Sequence, residues 1–229
     1  MVEPIANLRA GSIRENLARV RHEIEQAGVE AGRWSSSDRP EGVEVLAATK
    51  YVALEDLPAL AAAGVRLVGE NRAQDLQAKV AAHGELFAWD FIGQLQSRRV
   101  RAIVPHVRLI HSVASDSALR ELARHREHAR PGLELLIEVN VAREPGKAGV
   151  LPEDLDGFLE RAPLPVAGLM TMPPLAVEDP RENRRWFAAL RELAEQHGLE
   201  QLSMGTSQDY LVAVEEGATI VRIGTILYS

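Results

Sequence analysis

The sequence predicts an α/β fold, a single (β/α)8 TIM-type barrel with an extra N-terminal helix. Three observations predict it. Eight short apolar runs alternate with alanine- and leucine-rich stretches of helical periodicity. The connections entering the runs are short and plain (AAGVR, AHGEL, RAPLP, QHGLE, EEGAT). Those leaving them hold Asn, Gln, Ser, Thr, Lys and paired Pro (GENRAQD, IGQLQSRR, VAREPGKAG, TMPPLAVEDP, MGTSQD), as expected where sites are built at the C-terminal ends of barrel strands. A doubly wound open sheet is the alternative architecture. With 229 residues, the chain sits near the compact limit for a barrel, whose usual size is about 250.

The elements follow in order. An amphipathic helix is expected at about residues 4–27, then a polar loop around RWSSSDRPEG. The apolar runs are VEVLAAT (43–49), VRLVGE (65–70), FAWDFIG (87–93) and VRLIHSV (107–113). LELLIEVNV (133–141), VAGLMTM (166–172), QLSMG (201–205) and TIVRIGT (219–225) complete them. Helical stretches such as LEDLPALAAA, NRAQDLQAKVAA and RENRRWFAALRELAEQ lie between, the last placing Trp186, Phe187, Leu190 and Leu193 on its core side.

Composition fits one globular domain over 1–229: 46% of residues are hydrophobic and 26% charged. No apolar stretch reaches the roughly 20 residues of a membrane span, and the N-terminus lacks the basic-then-apolar order of a signal peptide. A cytoplasmic protein that engages no membrane is expected. The absence of cysteine excludes disulfides, thiolate metal sites and a thiol nucleophile. A formal charge of -7 argues against a chain built to hold nucleic acid. No HExxH, Walker loop or GxGxxG occurs. His125 and His128, three apart on a helix face, and the basic run SRRVRA (97–102) read as solvated surface.

Lys50 closes the first run, LAATK, at the end where barrel sites lie. A partly buried lysine there can act as a general base or form a Schiff base with a carbonyl. A lysine snorkelling from a strand end would look the same. In SMGTSQD (203–209), Gly205 permits close backbone approach, Thr206 and Ser207 offer hydroxyls, and Ser207 is placed to cap a helix starting near Gln208. That arrangement cradles an anion, although an ordinary N-cap has the same residues. Gly224 and Thr225 repeat the chemistry after the eighth run, and loops after strands seven and eight often bind phosphate in barrels. Arg222, between Val221 and Ile223, needs a partner inside the barrel: a buried acid, with Glu70 and Glu138 as candidates, or a ligand. An amine, a phosphate cradle and a polar group for a ring nitrogen together match pyridoxal phosphate.

The same residues carry a resemblance across nearly the whole chain. LAATK (46–50), GENRAQD (69–75), WDFIGQLQSRR (89–99), IEVNV with GKAG (146–149), GLMTMPP (168–174), LSMGTSQD (202–209) and VRIGT (221–225) resemble the pyridoxal phosphate homeostasis proteins. Their fold is similar to the N-terminal barrel of alanine racemase. The resemblance implies an internal aldimine on Lys50 and a phosphate held by Ser207, Gly224 and Thr225 with Gly205 and Thr206. It further implies Arg222 near the pyridine nitrogen, and Asn71 and Met170 lining the ring pocket. The chain departs from the family pattern at Asp90, commonly His, at Arg98 and Arg99, commonly Asn-Lys, and at Ala148, commonly Ser or Thr.

The resemblance implies a non-catalytic binding protein that holds pyridoxal 5'-phosphate, supports vitamin B6 homeostasis and delivers the cofactor to apoenzymes. A monomer is expected. The alternative is a racemase-like enzyme, which needs a second base; the resembled racemase takes its own from a tyrosine of a partner subunit. Tyr51, Tyr210 and Tyr228 fall near barrel loops, where packing explains each equally well. An arginine cannot protonate the ring nitrogen, which leaves the ring a poor electron sink. A third reading is cofactor-free imine chemistry on a phosphorylated substrate. Lys147, in PGKAG, reads as a surface charge or a second amine.

Overall fold

Eight parallel strands pair in sequence order, and the last returns to the first. The computed structural model describes residues 5–34, 42–174 and 179–229. The strands are β1 (Glu44–Ala48), β2 (Leu67–Glu70), β3 (Ala88–Phe91), β4 (Leu109–Val113), β5 (Glu134–Glu138), β6 (Val166–Met170), β7 (Gln201–Thr206) and β8 (Ile220–Ile223). They form a closed barrel, with Val45 opposite Val221 and Leu46 opposite Arg222 at the closing seam. The closure overturns the open-sheet alternative. The polar loop at 33–42 and the proline loop at 171–180 lie partly outside the described residues, as does residue 4, the expected start of the first helix.

Helices wrap the outside. They are α1 (Ala10–Glu30), α2 (Leu57–Ala62), α3 (Ala73–His83), α4 (Val100–Ile103), α5 (Asp116–His125), α6 (Leu155–Glu160), α7 (Arg184–Gln196), α8 (Tyr210–Glu215) and α9 (Thr225–Tyr228). Two apolar clusters follow from the period-two alternation of the strands. Leu46, Leu67, Leu109, Leu136, Met170 and Ile220 point inward and fill the barrel. The larger cluster joins outward residues such as Ala47, Val68 and Val221 to Leu60, Leu76, Phe187 and Leu190 of the helices.

α9 has only four residues, too few to cover the outer faces of β8 and β1. α1 packs on this side of the barrel, against α8, α9 and α2. Ile13, Leu17, Val20 and Ile24 recur at helical spacing and are buried, and the helix packs across α8 and α9. Asn16 Nδ2 donates to the carbonyls of Leu227 (3.2 Å) and Ser229 (2.8 Å). The helix starts at Ala10, later than the sequence pattern suggests. Ile5 bridges to Val52, and the N–H groups of Asn7 and Leu8 donate to the Asp56 carboxylate, both at 3.0 Å. Those bonds hold the preceding segment extended.

A buried charge pair ties α3 to the ends of β1 and β2. Lys79 Nζ donates to Glu70 Oε1 (2.6 Å) and to the Thr49 carbonyl (2.7 Å), while Thr49 Oγ1 also donates to Glu70 Oε1 (2.6 Å). Each of the three residues immediately precedes or supports a loop on the C-terminal rim. A buried pair costs desolvation, so its removal as a pair is tolerated far better than loss of one partner. Lys79→Met is therefore expected to lower unfolding free energy by about 3–5 kcal/mol, read by urea denaturation, and Lys79→Met with Glu70→Leu to lower it much less. Equal losses would disprove the buried-pair account.

Candidate functional site

The barrel collects the predicted residues on one arc of its C-terminal rim. Lys50 follows β1, Asn71 follows β2, Met170 ends β6, Gly205, Thr206 and Ser207 end or follow β7, and Arg222, Gly224 and Thr225 end or follow β8. The pairing order β6-β7-β8-β1-β2 makes these positions contiguous around the mouth. Alternation continues outward from the filled interior: Leu46 points in, and so Ala48 and Lys50 share its side. Lys50 is exposed, its Nζ 4.9 Å from the Tyr51 ring centroid. The partly buried amine of the sequence reading is thus corrected: the enclosed lysine is Lys79, on the outer side of the strands, where Glu70 compensates it.

Arg222 is the most constrained group on the rim. It is 6% exposed and carries five N–H donors. Nη1 donates to the Ser203 carbonyl (2.8 Å) and to Ser203 Oγ (2.6 Å). Nη2 donates to the Thr171 carbonyl (3.0 Å) and meets Met172 Sδ (3.0 Å). Four donors are so accounted for. Nε–H remains without an acceptor among the described residues. Burial brings the guanidinium down to about 10, against the attraction of Asp209 and Glu138, which leaves it a cation at neutral pH. Neither expected acid forms an ion pair with it. Glu70 points outward to Lys79, and Glu138 acts from beyond contact distance, its own pKa raised by burial.

The two small-residue loops are stitched together. Gly224 N–H donates to Ser207 Oγ at 3.0 Å. This corrects the expected cap: α8 starts at Tyr210, and Asp209 rather than Ser207 organises its approach. Asp209 Oδ1 accepts from Thr206 N–H (2.7 Å) and Thr206 Oγ1 (3.0 Å), and Oδ2 accepts from Asn183 Nδ2 (2.9 Å). Thr206 has therefore spent both donors bracing the loop. The Ser207 hydroxyl hydrogen and the Thr225 hydroxyl face no acceptor among the described residues. Gly205 adopts φ +90°, and a Cβ there would meet Ala213 Cβ at 2.6 Å and Tyr210 Cα at 2.9 Å. It lies in the register shift between β7 and β8, where Ser203 faces Ile220 and Thr206 faces Arg222.

Beside this arc, Asn71 contributes a buried Oδ1 with no partner. It opens a cavity of about 170 Å3 shared with Arg72, Phe91, Gln94 and Arg99. A larger cavity of about 440 Å3 lies at the opposite end, between α1 and the starts of β1 and β2, and holds none of the candidate residues. Two of the three candidate tyrosines have structural partners for their hydroxyls. Tyr210 donates to Glu23 and Tyr228 to the Ala48 carbonyl (3.1 Å), and burial raises the pKa of both. Lys147 pairs with Glu144, and His125 with Glu121 at 3.4 Å.

Sequence reasoning missed Ser203, Thr171 and Met172 as acceptors for Arg222, and His111 behind them. One signal was available: Met172 is two residues beyond Met170, on the same side of the same strand direction. Asp90, noted only as a departure, is fully buried between Arg108 (2.9 Å) and His111 (3.1 Å).

The sequence profile of the alanine racemase N-terminal domain matches residues 41–229. The "Pyridoxal phosphate homeostasis protein" of Aquifex aeolicus is 39% identical over 225 residues, covering 93% of this chain and 96% of its own. Among solved structures, a protein described as unknown from Bifidobacterium adolescentis superposes with a TM-score of 0.84 at 30% identity, covering 99% of this chain and 98% of its own. PipY of Synechococcus elongatus, solved with PLP bound, superposes with a TM-score of 0.76 at 32% identity, covering 95% of this chain and 100% of its own.

Two outcomes follow from the geometry. Gly205→Ala must take φ +90° and displace backbone of α8, so it is expected to cost about 1–3 kcal/mol, read as a lower urea midpoint; an unchanged midpoint would show that the loop yields freely. His111 is fully buried and its pKa lies below the ordinary value, first because burial disfavours the imidazolium. Its contribution to stability is complete above the unfolded value of about 6.5 and is lost as pH falls through the lower folded value. Urea midpoints should therefore fall more between about pH 7.5 and about pH 5.5 in the wild type than in His111→Asn, and parallel pH slopes would refute this.

Proposed function

The chain belongs to the pyridoxal phosphate homeostasis protein family, built on the alanine racemase N-terminal domain, and from that premise we propose that it holds pyridoxal 5'-phosphate reversibly through Lys50. The work is storage and transfer, not catalysis: the protein keeps a reactive aldehyde at low free concentration in the cytoplasm and hands it to apoenzymes. The whole chain acts as one binding unit. The observation that carries the reading is the single rim arc that brings together an exposed amine, two hydroxyl-bearing loops and an enclosed guanidinium with one N–H to spare.

When bound, pyridoxal phosphate supplies an aldehyde that condenses reversibly with an amine. The protein's groups fit its parts. Lys50 Nζ, free of any carboxylate among the described residues, provides the amine. The Ser207 and Thr225 hydroxyls would hold phosphate, while Gly224, through its N–H to Ser207 Oγ, and Gly205 and Thr206 brace the loops that carry them. Arg222 offers Nε–H to the ring nitrogen. As a donor that does not give up its proton, the Arg222 guanidinium would leave the ring nitrogen unprotonated and would lend carbanion formation little support. Asn71 and Met170 line the ring. Asn71 brings an orphaned buried carbonyl oxygen that a ligand donor would satisfy.

A racemase-like reaction needs a second base on the opposite face of the ring. The partners of Tyr210 and Tyr228 argue against either filling that role, and with the family's character they favour binding over catalysis.

The purified, cofactor-loaded protein is expected to absorb in the near ultraviolet and to yield a borohydride-stable adduct on Lys50, located by peptide mass spectrometry. Lys50→Ala should lose both, and a colourless apoenzyme mixed with the loaded wild type should gain activity as the protein's band declines. An adduct of undiminished yield at the same rim in Lys50→Ala would overturn the assignment. Lys50-dependent deuterium uptake at the α-carbon of free amino acids would instead establish the enzyme reading.

A further inference from the structure

The binding reading leaves unexplained a line of polar groups, buried at its centre, that crosses the barrel beneath Arg222. Glu44, at the start of β1, accepts from Arg108 Nη2 (2.6 Å). Arg108 Nε donates to Asp90 Oδ1 (2.9 Å) and Nη2 to Asp90 Oδ2 (3.2 Å). Asp90 Oδ2 lies 3.1 Å from His111 Nε2, His111 Nδ1 lies 2.8 Å from Ser203 Oγ, and Ser203 Oγ accepts from Arg222 Nη1 at 2.6 Å. Asp90, His111 and Ser203 are 0%, 0% and 0% exposed, so water cannot substitute for the contacts these three make with one another, whereas Arg108 and Glu44 close the line at a partly exposed end. A barrel interior filled elsewhere by leucines gives up three inward positions to this line, on β3, β4 and β7.

We propose that His111 is a positioning residue for the cofactor: through Ser203 it orients the Arg222 guanidinium at the mouth, and Asp90 selects the tautomer in which it does so. The proposal rests on the reading of Arg222 as the partner of the ring nitrogen. Proton counting supplies the direction. A carboxylate only accepts, so the His111 nitrogen facing Asp90 carries the hydrogen. Complete burial favours the neutral imidazole, so Nδ1 is an acceptor and Ser203 must donate its hydroxyl hydrogen to it. That leaves the oxygen lone pairs of Ser203 turned to Arg222 Nη1. In the opposite tautomer Ser203 Oγ would face two donors, and its own hydrogen would have no acceptor among the described residues. The groups facing His111 are Asp90 from β3, Ser203 from β7, Arg222 from β8 and Arg108 ahead of β4. A carboxylate that holds an imidazole in one tautomer for the benefit of a third group is a known arrangement in hydrolases; here the third group binds a ring and attacks nothing.

Asp90→Asn tests this with little change in volume, because the amide can present N–H to Nε2 and reverse the line. In the full-length protein loaded with pyridoxal phosphate, Asp90→Asn is expected to move the His111 hydrogen to Nδ1 by 15N NMR, shift the absorbance band of the bound chromophore, and speed cofactor loss to hydroxylamine by about tenfold. Ser203→Ala should reproduce the spectral shift and the faster loss, and Ser203→Thr, which keeps the hydroxyl, should restore both towards wild type. Should Asp90→Asn fail to fold, the Ser203→Ala and Ser203→Thr pair decides. Variants that load, keep the wild-type band and lose cofactor at the wild-type rate overturn the positioning role alone. A wild type that takes up no pyridoxal phosphate overturns the functional reading and this proposal with it.

Discussion

A guanidinium enclosed by strands must be solvated by the protein that encloses it, and much of this barrel is arranged around that requirement. Arg222 sits where a barrel of this size usually carries an aliphatic side chain, one residue from the end of β8. Among the described residues, no carboxylate meets it directly. Its hydrogens go to two backbone carbonyls, a hydroxyl and a thioether, all neutral acceptors. Among the described residues, neutral solvation leaves the positive charge at the mouth without a contacting counter-ion. An anionic ligand gains from that, and the more distant Asp209 and Glu138 temper the field without quenching it.

That requirement explains irregularities that would otherwise look like defects. The Ser203 carbonyl is open to Arg222 because the β7–β8 register slips between Ser203 and Thr206. The slip needs a residue at positive φ with no side chain toward α8, and Gly205 is that residue. Downstream, the chain must then turn sharply into α8, and Asp209 holds the turn by gathering both donors of Thr206. One buried cation thus accounts for a glycine, a bulge and a carboxylate that belong to different motifs of the sequence.

The strands, the polar rim and the position of Lys50 on it were legible because each depends on short-range pattern: alternation, apolar length and the polarity of neighbouring loops. What the pattern could not convey was pairing across the barrel. Glu70 looked available to Arg222 until alternation from Leu67 placed it on the outer side, with Lys79. Ser207 looked like a helix cap because serine before a helix usually is one, yet its oxygen serves Gly224, 17 residues away. Asp90 was visible only as an odd residue in a familiar motif. Its meaning required knowing that His111, 21 residues on, points into the same interior.

The seam between β1 and β8 has a consequence for how the protein comes into being. Lys50 follows the first strand and Arg222 lies in the last, and Asn16 of α1 ties the N-terminal helix to residues just past that seam, its acceptors lying 211 and 213 residues away. Contacts of such separation form late, since the chain between them must already be ordered. A nascent or half-folded chain therefore displays a lysine like any other, with no cradle and no guanidinium beside it. On the proposed assignment of Lys50, closure of the last seam is the step that would set the amine beside its cradle.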